Sequence, residues 1–342
     1  VAELYYTVSE NLHRFARIEN GQVVEMDFEI QGKSSSKLGG IYKGKVIEIQ
    51  KPLRAAFIDI GDEKPGMLPL SEGNLPQLTH GESVLVQVTR TENPIEDKGV
   101  RLTRMITLSL GPLLYTPFKK GLSLSKRLKE RDAYPFNLKD EEGLIVRHWA
   151  EPDESLQEML EQLRKEWDSI KGTGKPGEDL LTRVLRSLGP GETITIDSLS
   201  LLAKTKGRGV YLKDGAFDER CETAWESLSD PEVSVPQGGS LYIEETHGLT
   251  VVDTNSGGAL RHLTPFNHRA VKEAIHQIRL RDLSGKIVID LIDSPKHAEP
   301  LIKGLHLPSD LEIWGLSNMG LLEMIRRRKR LSLPRRLKYQ LN

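Results

Sequence analysis

The chain has 342 residues, 37% of them hydrophobic and 28% charged, with a formal net charge of −1. That length allows two or three domains with a sizeable core, and no apolar run approaches the ~18–20 residues of a membrane span, which excludes a helical membrane protein as the reading. The single cysteine, Cys221, excludes an internal disulfide framework and a multi-cysteine zinc site; with no signal-peptide pattern at the N-terminus, a cytoplasmic, reducing compartment is expected.

In chain order, the first residues alternate apolar and polar in short strand-like pieces such as "GQVVEMDFEI". From 39 to about 110, the segments "GGIYKGKVIEIQ", "RAAFIDIGDEKPGMLPL", "ESVLVQVTR" and "KGVRLTRMITLSL" predict short strands closing into a small barrel. "GLIVRHW" (143–149) reads as a strand. "ESLQEMLEQLRKEWDSI" (154–170) predicts an amphipathic helix with Leu156, Met159, Leu160, Leu163, Trp167 and Ile170 on one face. "KGTGKPGE" contains a Gly-Lys pair, but Pro176 stands where a phosphate loop needs Ser or Thr, so that motif is rejected. Beyond 240, "SLYIEET" and "LTVVDTN" predict strands, 267–282 a helix, and "KIVIDLID" (286–293) a covered strand. A helix around 296–305, the strand "LEIWGLS" and a helix over "GLLEMIRRRKRL" follow, giving an α/β or α+β layer domain.

Charge is uneven along the chain. "RRRKRLSLPRRLK" (326–338) carries eight basic residues and no acid, and "KKGLSLSKRLKER" (119–131) is a second basic run. Either alone reads as a solvated helix face; two runs beside a nucleic-acid-binding fold would read as an RNA surface.

The chemistry concentrates in "GLTVVDTNSGG" (248–258). Asp253 and Asn255 are two apart, so an extended backbone projects them from one face, and Asp290 ends another apolar run. On neighbouring strands the three would converge at strand C-termini, where open sheets place ligands. Two carboxylates and an amide oxygen are hard ligands that suit Mg²⁺ or Mn²⁺. The other reading is that Asp253 and Asn255 cap the turn before Gly257 while Asp290 begins a loop. Asp293 is an auxiliary candidate, and His247, His262, His268 and His276 lack the spacing of a metal site and read as surface or supporting residues.

"VPQGGSLYIEETHGLTVVDTNSGG", "IRLRDLSGKIVIDLID" and "LSNMGLLEMIRRR" together resemble the catalytic core of the RNase E/G endoribonucleases. "GGIYKGKVIEIQKPLRAAFIDIGDEKPGMLPLSE" resembles that family's OB-fold RNA-binding domain, and "GLIVRHW" its 5′-end sensor. The resemblance implies an α/β multidomain chain: an OB-fold barrel inserted in an RNase H-like element, then a deoxyribonuclease I-like catalytic domain. The implied boundaries are 1–38 and 176–238 for the RNase H-like parts, 39–110 for the barrel, 111–175 for the sensor-like region, 239–325 for the catalytic domain and 326–342 for a basic tail. It further implies Mg²⁺ held by Asp253 and Asp290, with Asn255 orienting the attacking water or the phosphate. The implied reaction is hydrolysis of single-stranded RNA, such as mRNA or rRNA precursors, to 5′-phosphate and 3′-hydroxyl ends.

The same resemblance makes Phe57 the base-stacking ring of the barrel, Met67 the replacement of a second aromatic, and Lys98 a basic RNA contact. Barrel core is the alternative for Phe57. Arg147 matches the 5′-phosphate-binding arginine, while His148 replaces a threonine beside it. The paired zinc-link cysteines are missing, so neither structural zinc nor a zinc-linked dimer is expected. The competing function is a non-catalytic RNA-binding protein or rRNA-maturation factor on the same fold. A bulky side chain at Gly257 is expected to block the RNA backbone while leaving the fold intact.

Overall fold

A computed structural model describes residues 2–32, 37–71, 76–125, 128, 133, 134, 136–147, 149–153, 155–189, 191–205, 209–258, 263–293, 297–305 and 307–341. The fold is mixed α/β and divides into two units. One comprises 31–194 and 199–211; the other comprises 2–30, 195–198 and 212–342. Among the described residues, no helix is long and apolar enough to cross a membrane.

The chain opens with a three-stranded antiparallel meander, β1 (Glu3–Ser9), β2 (Leu12–Glu19) and β3 (Gln22–Ile30), in the second unit. The β2–β3 turn is Asn20-Gly21, both at positive φ, the backbone twist that a two-residue hairpin needs. The first unit then builds a barrel from β4 (Ile41–Gln50), β5 (Ala55–Asp59), β6 (Gly66–Pro69), β7 (Ser83–Arg90) and β8 (Arg101–Thr103). The order β4-β5-β6-β8-β7 is closed by β7 pairing back on β4, so the five strands leave no open edge between them. Alternation sends Val46, Ala56, Ile58, Leu68, Val86, Val88 and Leu102 inward. Gly44 is required by close approach: a Cβ there would lie 2.4 Å from the Ile58 side chain.

The rest of the first unit is a four-stranded sheet, β9 (Leu108–Leu110), β10 (Leu113–Thr116), β11 (Gly121–Leu124) and β12 (Gly143–Val146), in the order β11-β12-β10-β9. Helix α1 (Ser155–Ile170) lays Leu156, Leu160, Leu163 and Ile170 in the same core, with Met159 and Trp167 at its margin. The short β13 (Gly174–Lys175) pairs with β4, and Asp179 caps α2 (Leu180–Ser187) by accepting from the Thr182 amide. Arg164 of α1 and Glu142 form an almost fully buried ion pair. β14 (Thr193–Ile196), α3 (Leu199–Lys204) and β15 (Val210–Leu212) carry the chain on. In the second unit, Asp197 accepts from the Val8 amide at 3.2 Å and from the Thr7 hydroxyl, fixing the segment beyond β14 to β1.

The second unit continues with α4 (Glu219–Glu226), β16 (Glu232–Ser234), β17 (Ser240–Glu245), β18 (Leu249–Asn255), α5 (Leu263–Leu280), β19 (Gly285–Asp290), α6 (Glu299–Ile302), β20 (Leu311–Leu316), β21 (Leu322–Arg326) and α7 (Leu333–Gln340). The six strands run in the order β16-β17-β18-β19-β21-β20. Phe266, Ala270, Val271, Ala274, Ile275 and Ile278 of α5 pack on Leu241, Val252, Ile287, Ile289 and Leu322, covering one face of this sheet.

Three sequence expectations are corrected here. "GLLEMIRRRKRL" is not a helix: Leu322–Arg326 is β21, which pairs with both β19 and β20. Its period is two, with Leu322 and Met324 buried and Glu323 and Ile325 turned away, and helical composition yields to ladder pairing on both sides. The helix expected over 296–305 contracts to the single turn Glu299–Ile302, and the "GLIVRHW" strand ends at Val146.

The basic run 326–338 is also not uniformly a solvated face. Arg326 bonds Asp282 and Asp310, Arg330 bonds Asp27 and Asp282, Arg335 approaches Glu245, and Arg336 bonds Asp27. Part of the 119–131 run lies outside the described residues, as do His148 and His262.

Candidate active site

β18 alternates so that Thr250, Val252 and Thr254 face the helices, which leaves Val251, Asp253 and Asn255 on the other side. In β19, Ile287 and Ile289 do the same and leave Val288 and Asp290. The two strands are parallel neighbours in a register that sets Val252 opposite Ile289 and Asp253 opposite Asp290. Both carboxylates are therefore exposed, side by side, at the C-terminal ends of adjacent strands. Parallel pairing is what a strand–helix–strand unit produces, because α5 carries the chain back before β19 begins.

Local bonds fix the ends of these strands. The Thr254 hydroxyl donates to the Asp290 carbonyl at 2.8 Å, and the buried Asn267 amide of α5 donates to the Ile292 carbonyl at 2.8 Å. Asn255 Oδ1 accepts from the Gly257 amide at 2.9 Å. The turn-capping reading of Asn255 is thus realised in the same geometry that aligns the carboxylates. A carboxamide oxygen has two lone pairs, so this bond leaves one available.

Gly257 and Gly258 sit at φ +61° and +89°. A Cβ on Gly257 would make only ordinary contacts, 3.6 Å to the Gly239 amide nitrogen, and one on Gly258 would meet nothing within 4 Å. Backbone conformation, more than crowding by the protein, demands glycine here. Gly239, which carried no signal of its own in the sequence, is tighter: a Cβ would fall 2.5 Å from both the Asn255 carbonyl oxygen and the Phe266 ring.

Among the described residues, no three His, Cys, Asp or Glu side chains form a group that could hold a metal ion. The donors at these strand ends are Asp253, Asp290 and the Asn255 amide oxygen, an all-oxygen set that suits a hard cation completed by water or phosphate oxygens. Asp293 is exposed, at φ +62°. His247 is exposed, and His268 Nδ1 lies 3.0 Å from the Leu301 carbonyl. His276 bonds Glu273 and the Val23 carbonyl; burial alone would lower its pKa, but those bonds hold it above the usual value. Burial pushes the Cys221 thiol up to about 12, so it stays neutral.

On the barrel, Phe57 is flanked by Ala56 and Ile58, which point into the core, and is itself half-buried on the outer side. It stands opposite Met67 in the β5–β6 register, and Met67 stands opposite Arg101 of β8. A ring, a thioether and a guanidinium position thus form one row on the barrel exterior. Lys98 is exposed and paired with Glu96. In the first unit, Arg147 is held by its backbone amide to the Pro112 carbonyl at 2.9 Å. Burial pulls its guanidinium below the usual pKa, and no described carboxylate pairs with it.

The stretch containing both aspartates is also the most diagnostic part of the sequence. The sequence model of the Ribonuclease E/G family matches residues 210–329. The chain is 30% identical to Ribonuclease E of Synechocystis over 357 aligned positions, covering 86% of this chain and 53% of that relative. It is 29% identical to Ribonuclease G of Haemophilus influenzae over 400 aligned positions, covering 97% of this chain and 80% of that relative. Over residues 210–329 this is ribonuclease E/G family sequence. It spans about half the length of the cyanobacterial relatives that it matches. Ribonuclease E of Escherichia coli is 30% identical, over 92% of this chain and 36% of the relative. The ribonuclease E/G segment contains β17 to β21, and hence Asp253, Asn255, Asp290 and the helix that covers the sheet behind them.

Proposed function

We propose that this chain is an endoribonuclease that hydrolyses phosphodiester bonds in single-stranded RNA at Asp253 and Asp290. The observation that carries the reading is the register pairing of two exposed carboxylates on adjacent parallel strands within the ribonuclease E/G segment. Asp253 and Asp290 would hold Mg²⁺, with Mn²⁺ as a substitute, and Asn255 would orient the attacking water or the phosphate. When bound, such a cation supplies charge for the developing phosphorane and lowers the pKa of water. Water oxygen attacks phosphorus, the bond to the 3′ oxygen breaks, and that oxygen leaves protonated, giving 5′-phosphate and 3′-hydroxyl ends.

The assignments around this centre belong to the same proposal. The architecture is read as a deoxyribonuclease I-like catalytic domain over 239–325, an RNase H-like element from 1–38 and 176–238, an OB-type barrel over 39–110 and a sensor-like region over 111–175. Phe57 stacks a base, with Met67 and Lys98 beside it, a role open to any base because every base has a π-face. Arg147, lacking a described carboxylate partner, would take a 5′-terminal phosphate through its planar fork, with His148 adjacent. mRNA or rRNA precursors in the cytoplasm are the expected substrates.

The test uses end-labelled, single-stranded, A/U-rich RNA with Mg²⁺ or with chelator, beside Asp290→Asn. Internal, metal-dependent cleavage that disappears in the variant supports the reading, and mapping of the product ends checks the chemistry. Gel retardation without cleavage by the natural protein would sink it in favour of a non-catalytic RNA binder. Equal rates on 5′-monophosphate and 5′-hydroxyl substrates would remove Arg147 from the account.

A further inference from the structure

Among the described residues, α5 and α6 cover one face of the six-stranded sheet. Its other face carries Tyr242 and Glu244 on β17, the two aspartates, Glu323 on β21 and Trp314 on β20. Tyr242 stands opposite Asp253, and Asp253 opposite Asp290, so a phenol ring and both carboxylates occupy one row across three consecutive strands. At about 4.8 Å per strand the row is roughly 10 Å long. Tyr242 is 45% exposed, and its hydroxyl bonds to no described residue. Its neighbours Leu241 and Ile243 supply the core contacts of β17, so packing does not account for the ring.

Trp314 is 73% exposed. It sits in the bulge of β20, between Ile313 opposite Met324 and Gly315 opposite Glu323. Large rings left in water on one face, around a pair of carboxylates, mark a binding surface. The charge of the face narrows its ligand. Glu244, Asp253, Asp290, Glu312 and Glu323 outnumber Lys286 there, so phosphates gain little direct attraction from it. What this face can offer a nucleotide is a ring to stack on, which is indifferent to that charge.

Resting on the ribonuclease reading above, we propose that Tyr242 stacks the nucleobase next to the scissile phosphate and that Trp314 takes a second base farther along the same face. Single-stranded RNA then crosses the sheet strands above the carboxylates, positioned by its bases. Tyr242 is a specificity-determining contact, favouring bases that stack strongly and rejecting a paired strand whose bases are not free.

The experiment compares the natural protein with Tyr242→Ala, Tyr242→Leu, Tyr242→Phe and Trp314→Ala on a short RNA with one cleavage position. The same RNA is also made with single abasic residues near that position. Loss of one stack should raise KM about 5- to 150-fold for Tyr242→Ala and Tyr242→Leu, with kcat changed far less. Tyr242→Phe should restore it. An abasic residue beside the cleaved bond should cost the natural protein a similar factor and cost Tyr242→Ala nothing further; Trp314→Ala should behave likewise toward a more distant abasic residue.

If the alanine variant fails to fold, the leucine variant, which keeps the bulk and removes the ring, is read in its place. A wild-type KM in these variants, or an abasic penalty that persists in them, overturns the inference while leaving the ribonuclease reading intact. Absence of cleavage by the natural protein overturns the ribonuclease reading and this inference with it.

Discussion

Asp27 gathers two arginines of the basic run in the second unit. It lies on β3, 6% exposed, and accepts from Arg330 Nη1 at 2.6 Å, from Arg336 Nη2 at 2.7 Å and from the Phe28 amide at 2.8 Å. Arg330 also reaches Asp282 at 2.6 Å, whereas Arg336 has a buried Nε with no partner among the described residues and its guanidinium over the Phe28 ring at 4.9 Å. Burial opposes the charge on both arginines; for Arg330 the flanking Asp27 and Asp282 charges win and hold its pKa up, while for Arg336 burial and the neighbouring Arg330 charge win and pull its pKa down.

Asp27→Ala therefore leaves Arg336 without its carboxylate and Arg330 with one in place of two. Breaking such a buried pair from one side costs about 3–5 kcal/mol, against a total stability of about 5–15 kcal/mol. With an m-value near ~2 kcal/mol per molar urea, the midpoint should fall by roughly 1.5–2.5 M. Tryptophan fluorescence is a suitable probe because Trp225 packs edge-on against Phe28, 5.8 Å between ring centroids. Replacing all three partners together, with Asp27→Leu, Arg330→Met and Arg336→Met, should recover much of the loss, since no buried charge is then stranded. A midpoint for Asp27→Ala within about 0.3 M of the natural protein would refute the reasoning.

Other outcomes follow from the same geometry. Gly239→Ala combines a φ of +92° with two contacts at 2.5 Å and should lower stability by about 2–4 kcal/mol, measured by thermal unfolding. Phe57→Ala should weaken binding of single-stranded RNA about 5- to 150-fold in fluorescence anisotropy, with circular dichroism unchanged because the ring lies outside the barrel interior. Burial alone would raise Glu166 and Asp310, but Arg186 and Lys175 hold the first below the usual carboxylate range, and Arg326 and Lys329 hold the second there. Their contribution is present above the ordinary carboxylate pKa and is lost as pH falls through the depressed values. The contribution of these two carboxylates should thus be constant from pH 7 to about 5, and urea midpoints should decline below that, less steeply in Asp310→Asn. Gly257→Val should destabilise the turn after Asn255 through its φ of +61°, so reduced cleavage should come with altered unfolding; an unaltered melting curve would contradict that account.

Much of this protein was legible in its sequence because the signals were local. Alternation in "SLYIEET", "LTVVDTN" and "KIVID" determined strands and their two faces, and the 3.6-residue apolar period determined α1 and α5, since each depends only on which neighbouring side chains must leave water. Spacing alone set Asp253 and Asn255 on one face. It could not say that β18 and β19 are adjacent, parallel and in register at Asp253 and Asp290, because that depends on how α5 returns the chain across the sheet.

β21 is hidden in the sequence for the same reason: "LLEMIR" has helical composition, and only partners on both sides make it a strand. The arginines of 326–338 read as free charge until the fold brought Asp27 and Asp282 against them, from about 300 and 50 residues away in the chain. Tyr242 and Trp314 gave no signal at all, since an aromatic residue in a strand is ordinarily core. Only the covered and open faces of the assembled sheet separate rings that fill the interior from rings left exposed beside the carboxylates.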